Sequence, residues 1–257
     1  MNLSDILLLE QSISLDADLD LSSVEVTGVT LDSRSVTPGS VFFAALGLNF
    51  DGRVFIDDAF KKGAAAVVYS GEPLSDAKGI AIQVEDVRFA ISYAASKFYS
   101  DPSKSLRNVA ITGTSGKTST AWIMSLALMS LNQKTLMGGT LGYELLVPGE
   151  ETYLSMKELG NTTIGPEELH QRLGDAKKND AAYSVFEVTS QGIEHNRMRH
   201  VDWDGAIFTN FSRDHLDLHG SMENYLAAKK KLFVRDLVES SKENNCLLYT
   251  SPSPRDS

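Results

Sequence analysis

The chain has 257 residues, 42% of them hydrophobic and 23% charged, with a formal net charge of −10 at pH 7, which is enough for a sizeable core and for two domains. The acidic balance argues against nucleic acid as a partner, because phosphate backbones are bound by basic surfaces. No apolar stretch reaches the roughly 20 residues that span a bilayer, and "MNLSDILLLEQS" lacks the basic start and long apolar block of a signal peptide; no membrane insertion and a cytoplasmic location are expected, and one cysteine, Cys246, excludes an internal disulfide framework.

In chain order, β-rich segments are predicted at residues 24–34 ("VEVTGVTLDSR"), 40–46 ("SVFFAAL"), 64–70 ("AAAVVYS") and 80–85 ("IAIQVE"), with a helix over 51–63 between the second and third. They make a small α/β module. Residues 87–99 ("VRFAISYAASKFY") have helical spacing, and "SDPSKSLR" carries the Pro and polar residues of a linker, so a domain boundary is expected at 101–107.

Beyond it, "VAITGTSGKTST" at 109–120 reads as a strand, a Gly-rich turn and the opening of a helix. Such a junction is a ready anion site, because backbone N–H groups in the turn and first helical turn point at one place without partners. Gly113 and Gly116 permit close approach, Lys117 would reach outer phosphates, and the Thr118 hydroxyl would stand where a phosphate-bound Mg²⁺ needs an oxygen. The longer G-x-x-x-x-G-K-[ST] pattern fails, since Ile111 stands five residues before Gly116; G-x-x-G-K-T remains.

A strand follows at 134–138 ("KTLMG"), then a helix starting near Pro166, strands at 181–188 ("AAYSVFEV") and 204–211 ("DGAIFTNF"), and a helix over 221–238 with Ser221 as N-cap. Strands alternating with helices predict an α/β fold with a mostly parallel, doubly wound sheet. Ligands gather at the carboxyl ends of such strands, which singles out Glu187, Thr189 and Ser190 after one strand and "SRDHLDLHG" after another. Glu187 is either a metal or water ligand or a solvated strand-end charge. His215 and His219 suggest either a metal cluster or a polar surface turn. Beside a phosphate loop, a carboxylate and an imidazole suit Mg²⁺ better than a structural zinc.

"TGTSGKTST", "NTT" at 161–163, "FEVTSQGIEHNR", "IFTNFSRDHLDLHG" and "YLAAKKKLF" together resemble the ATP-dependent Mur ligases of bacterial cell-wall synthesis. "LDSRSVTPGSVFFA" and "DGRVFIDDA" are similar to the branch that adds the third peptide residue (MurE type). The resemblance covers residues 24–236. It implies a small N-terminal domain, residues 1–100, that binds a UDP-sugar, and an ATP-binding P-loop domain over 107–245 that is incomplete. It implies that Gly113, Thr114, Ser115, Gly116, Lys117, Thr118 and Ser119 hold ATP, that Thr118, Glu187 and His215 are metal-associated, and that Lys117, His215 and Lys229 are catalytic. Lys229, otherwise part of a solvated basic face with Lys230 and Lys231, is similar to the family lysine carbamylated by CO₂, which then holds a second Mg²⁺.

The partners implied are a UDP-N-acetylmuramoyl dipeptide and a diamino acid, acting on a monomeric enzyme. Leu31, Ser33, Leu48, Asn49, Phe50, Asn161, Thr162, Thr163, Thr189, His195 and Arg197 are the implied contacts to the UDP-sugar; the alternative for each hydroxyl is a bond to its own backbone. Thr189 stands where the family commonly has Ser, and His195 where it commonly has Gln. The C-terminal residues 246–257, "CLLYTSPSPRDS", depart from the family and back-translate to the end of a transposase-type sequencing-library adapter, so the natural chain is expected to stop near Asn245 and the fragment to be inactive; a disordered Ser/Pro tail is the alternative. Other readings are a different Mur ligase, a ligase like folylpolyglutamate synthase, or a nucleotide-binding module without catalysis.

Overall fold

Continuous apolar runs such as "SVFFA" and "AVVY" cannot leave either face in water, so they become interior strands of a parallel sheet covered on both sides. The computed structural model describes residues 1–7, 12–14, 20–47, 51–74, 77–150, 162–242 and 246–249, with the backbone alone at 12–14 and 247–249. The chain divides into two compact units, Met1–Asp101 and Pro102–Ser257.

In the first unit β1 (Ser12–Ser14), β2 (Gly28–Thr30), β3 (Ser40–Ala44), β4 (Ala66–Tyr69) and β5 (Ile80–Val84) form a sheet in the order β1-β5-β4-β3-β2. β2 to β5 run parallel, and β1 is antiparallel to β5. Alternation along β3 sends Val41 and Phe43 to one core, with α1 (Leu3–Ile6) and α3 (Val87–Phe98), and Phe42 and Ala44 to another, with α2 (Ile56–Lys61). Phe42 and Phe43 are 1% and 0% exposed, and burying each contributes on the order of 2–3 kcal/mol. The strand predicted over 24–34 shrinks to Gly28–Thr30 because Thr30 Oγ1 accepts from Asp32 N at 3.0 Å and Asp32 caps the 3₁₀ turn Ser33–Ser35 through Arg34 N at 2.9 Å. Asp51 and Asp86 do the same for the turn Gly52–Phe55 and for α3.

In the second unit β6 (Arg107–Thr112), β7 (Thr135–Gly139), β8 (Gly142–Leu146), β9 (Tyr183–Glu187), β10 (Gly205–Phe208) and β11 (Cys246–Tyr249) are ordered β11-β10-β6-β9-β7-β8. Every neighbouring pair is parallel except the β7–β8 hairpin, an element absent from the sequence expectation. α4 (Lys117–Ser130) covers one face over Ile111 and Val185; Phe186, Trp203 and Leu173 of α5 (Pro166–Lys178) fill the other. Ser221 caps α8 (Met222–Lys231) by accepting from Asn224 N at 3.1 Å, and a π-helical turn, Leu232–Asp236, continues it.

Part of the expected linker is built into this unit. Pro102–Ser105 is a 3₁₀ turn whose Ser103 is fully buried, because Asn108 Nδ2 donates to Ser103 O at 2.7 Å and to Asp202 O at 2.7 Å. Cys246–Tyr249, expected to be a technical tail, lies in parallel register on β10, a pairing that needs only backbone groups. The chain reverses its direction of strand addition at β6, with β9 on one side and β10 on the other, so a crevice opens at its carboxyl end.

Candidate functional site

The chain leaves β6 through a turn that only glycine can begin. Gly113 has φ +149°, and a Cβ there would lie 2.0 Å from Thr209 Oγ1. Gly116, at φ +81°, sets the N-cap of α4. Residues just after β10 brace the turn: Thr114 N donates to Asn210 O (3.0 Å), Ser115 N to Asn210 Oδ1 (2.9 Å), and Thr209 Oγ1 to Ser115 O (2.7 Å). Ser115 is thereby used up in the brace, and the amides at the start of α4 are the groups left to face an anion. Thr209 and Asn210 were not among the expected site residues, although they close the quoted strand "IFTN".

Both lysines expected here converge on the turn. Lys117 Nζ donates to Gly113 O at 3.0 Å and Thr114 O at 2.9 Å, and Lys229 Nζ, 1% exposed, donates to Gly113 O at 2.8 Å. Burial lowers the pKa of Lys117. It lowers that of Lys229 to about 7, helped by the charge of Lys117 and opposed by Asp214. Lys229 Nζ also lies 4.6 Å from the Tyr225 ring centroid, and Tyr225 Oη is 3.3 Å from Thr114 Oγ1. Its neighbours take the solvated roles: Lys230 is exposed and Lys231 pairs with Glu194 at 2.7 Å.

Glu187, at the end of β9, is 2% exposed, which removes the solvated-charge alternative. Its carboxylate accepts from Thr118 Oγ1 at 2.8 Å, Thr140 N at 2.8 Å and Thr140 Oγ1 at 3.3 Å. Gly139 makes room, since a Cβ there would stand 2.2 Å from Glu187 Oε1. Thr118 and Glu187 thus present converging hard oxygen donors of the kind Mg²⁺ takes. His215 lines the same cleft in a left-handed conformation (φ +49°) at the start of α7 (Leu216–His219). Among the described residues no group of three or more His, Cys, Asp or Glu is arranged to hold a metal; His219 Nε2 instead lies 2.9 Å from Ser190 Oγ.

A wall of hydroxyls faces the phosphate loop across a cleft of about 570 Å³. Thr163 Oγ1 lies 3.1 Å from Thr189 Oγ1 and donates to Glu187 O at 3.3 Å; Thr189 caps α6 (Ser190–Glu194) by accepting from Gly192 N at 3.0 Å. Arg197 Nη1 donates to Thr163 O at 2.8 Å, and Thr162 Oγ1 is 3.3 Å from Thr140 Oγ1. The backbone-bond alternative therefore holds in part for Thr163 and Thr189, which serve the fold while lining the cleft. His195 is the C-cap residue of α6 and does not belong to the lining. Leu31, half-buried on the core, and Ser33, whose carbonyl accepts from Lys62 Nζ at 2.7 Å, belong to the first unit. Leu48, Asn49, Phe50 and Asn161 lie outside the described residues.

Two family profiles match the chain: the Mur ligase middle domain over residues 111–249 and the Mur ligase family catalytic domain over residues 25–99. The chain is 42% identical over 215 residues to a UDP-N-acetylmuramoyl-L-alanyl-D-glutamate–2,6-diaminopimelate ligase of Pseudomonas syringae pv. tomato, covering 80% of this chain and 41% of that one. A relative of the same name from Solibacter usitatus is 39% identical over 235 residues, with 91% and 46% covered. A solved ligase structure of that name has a TM-score of 0.77 at 27% identity over 97% of this chain and 52% of its own. The MurF ligase of Thermotoga maritima in complex with ADP, at 24% identity, TM-score 0.56 and coverage of 89% and 46%, shares the fold. The chain spans less than half the length of these curated relatives.

Proposed function

Starting from the premise that this chain belongs to the Mur ligase family, we propose that it is the nucleotide-binding and UDP-sugar-binding part of an ATP-dependent ligase that adds the third amino acid to UDP-N-acetylmuramoyl-L-alanyl-D-glutamate in peptidoglycan synthesis. The names of its relatives point to 2,6-diaminopimelate as that amino acid. The observation that carries the reading is the single cleft in which Lys117, Thr118 and Glu187 face a wall of Thr162, Thr163, Thr189 and Arg197. Among the described residues no helix is long and apolar enough to cross a membrane, and a cytoplasmic, monomeric enzyme fits a water-soluble UDP-linked substrate.

A free carboxylate is a poor acyl donor, since attack by an amine would have to expel oxide. Transfer of the γ-phosphoryl group to a carboxylate oxygen, with ADP leaving, supplies a better leaving group. The amine then attacks the acyl carbon, phosphate departs and the amine gives up a proton. Lys117 would exchange its two loop carbonyls for phosphate oxygens and offset charge that develops during transfer. Arg197 and the hydroxyl wall suit the carboxylate and sugar-peptide groups of the substrate. Thr118, Glu187 and His215 would hold Mg²⁺, which supplies Lewis-acid stabilisation of phosphoryl charge. Lys229, neutral as an amine through part of the physiological range, can add CO₂ at Nζ with loss of a proton, giving a carbamate anion close to the loop.

The test is calorimetric. Lys117→Ala should weaken MgATP binding to the chain by about a hundredfold, as expected for losing a charge-assisted phosphate contact, while binding of the UDP-muramoyl dipeptide is largely spared. Unchanged nucleotide affinity would overturn the loop assignment.

A further inference from the structure

Residues 162–164 carry the cleft hydroxyls of Thr162 and Thr163 but belong to no helix or strand, so no ladder holds their backbone. The partner they use comes from the β7–β8 hairpin. Tyr143, 3% exposed on β8, donates its hydroxyl to Thr162 O at 3.0 Å and accepts from Ile164 N at 3.3 Å. One phenol oxygen thus clamps the peptide groups on either side of Thr163. Arg197 takes Thr163 O, and Thr189 with the Glu187 carbonyl takes the Thr163 hydroxyl.

The clamp is itself immobilised. The Tyr143 ring lies 5.9 Å from Phe186, in space open only because residue 138 is glycine; a Cβ there would sit 2.4 Å from the Tyr143 ring. On α5, Arg172 lies 5.6 Å from the ring centroid and donates to Tyr143 O at 2.9 Å, with its fork held by Glu168 at 2.7 Å. We propose that Tyr143 is a positioning residue for the sugar-peptide substrate: it fixes the segment 162–164 so that the Thr162 and Thr163 hydroxyls are pre-set in the cleft. Burial pushes the phenol up, so it stays a hydrogen-bond donor across the physiological range. Pre-setting matters because a polar segment that must be ordered on binding spends part of the interaction free energy on its own entropy.

The inference rests on the substrate reading above, and the experiment separates the two. Tyr143→Phe keeps the ring and removes only the clamp. It should weaken binding of UDP-N-acetylmuramoyl-L-alanyl-D-glutamate about tenfold, leave MgADP affinity within about twofold, and speed hydrogen exchange of the Ile164 amide. Arg172→Met, which frees the ring without touching the hydroxyl, should give the same pattern at about threefold and serves if the first variant folds poorly. Equal affinities for the muramoyl ligand, or parallel losses for both ligands in both variants, would overturn the positioning role while the substrate reading stands. Failure of the unsubstituted chain to bind the muramoyl ligand at all would overturn the substrate reading and the positioning role with it.

Discussion

The two units share a parallel sheet with helices on both faces, yet they satisfy their polar groups in opposite ways. In the first unit the carboxylates of Asp32, Asp51 and Asp86 accept from backbone N–H groups two residues ahead. In the second, Thr118 reaches Glu187 across 69 residues, Ser115 reaches Asn210 across 95, and Lys229 reaches Gly113 across 116. Local bonds end helices and shape turns; long ones bring unlike chemical groups to one place. The same architecture therefore carries a buried polar centre in one unit and turn caps in the other, and the difference lies in what terminates the strands rather than in the fold.

The largest effect should come from a residue that the long-range network crowds. Gly113→Ala sets a Cβ against Thr209 and Asn210 at a φ that L-residues rarely adopt, so it should cost about 3 kcal/mol in urea unfolding of the second unit and remove measurable MgATP binding. A variant that binds nucleotide normally would show that the brace does not shape the loop.

A smaller effect is expected from Lys229, and its sign is fixed. Its folded pKa, about 7, lies below the value of an unfolded lysine, so between these two the unfolded chain binds more protons. Stability should rise as pH increases from about 7 toward 10, as the cost of burying the ammonium fades. In CO₂-free buffer, the urea midpoint of the unsubstituted chain should climb from pH 7 to 9 relative to Lys229→Met. A flat difference would mean that the amine is not desolvated.

The smallest effect belongs to the local bonds. Asp86→Ala removes the N-cap of α3 and should cost about 1 kcal/mol in the first unit without changing MgATP affinity. A change in nucleotide binding on that substitution would break the contrast between local and long-range polar groups.

What could be read in advance follows the same division. The phosphate loop is contiguous, so its glycines, lysine and flanking strand declare it within a dozen residues. Glu187 stood equally as a ligand or a solvated charge, because its partners Thr118 and Thr140 are distant in sequence. The β7–β8 hairpin went unread: its connection is only Thr140 and Leu141, and "GYELL" leaves too short an alternation to stand out beside the parallel strands.

The sequence by itself determined the alternating α/β pattern, the anion-binding turn and the caps of α3 and α8, since each depends on residues within a few positions of one another. Only the tertiary structure decided which of three consecutive lysines turns inward, that Glu187 is buried and thrice bonded, and that Tyr143 clamps the segment bearing Thr162 and Thr163. The reason is physical. Burial and long-range hydrogen bonds depend on which surfaces meet when helices pack on the sheet, and that meeting joins residues no local pattern relates.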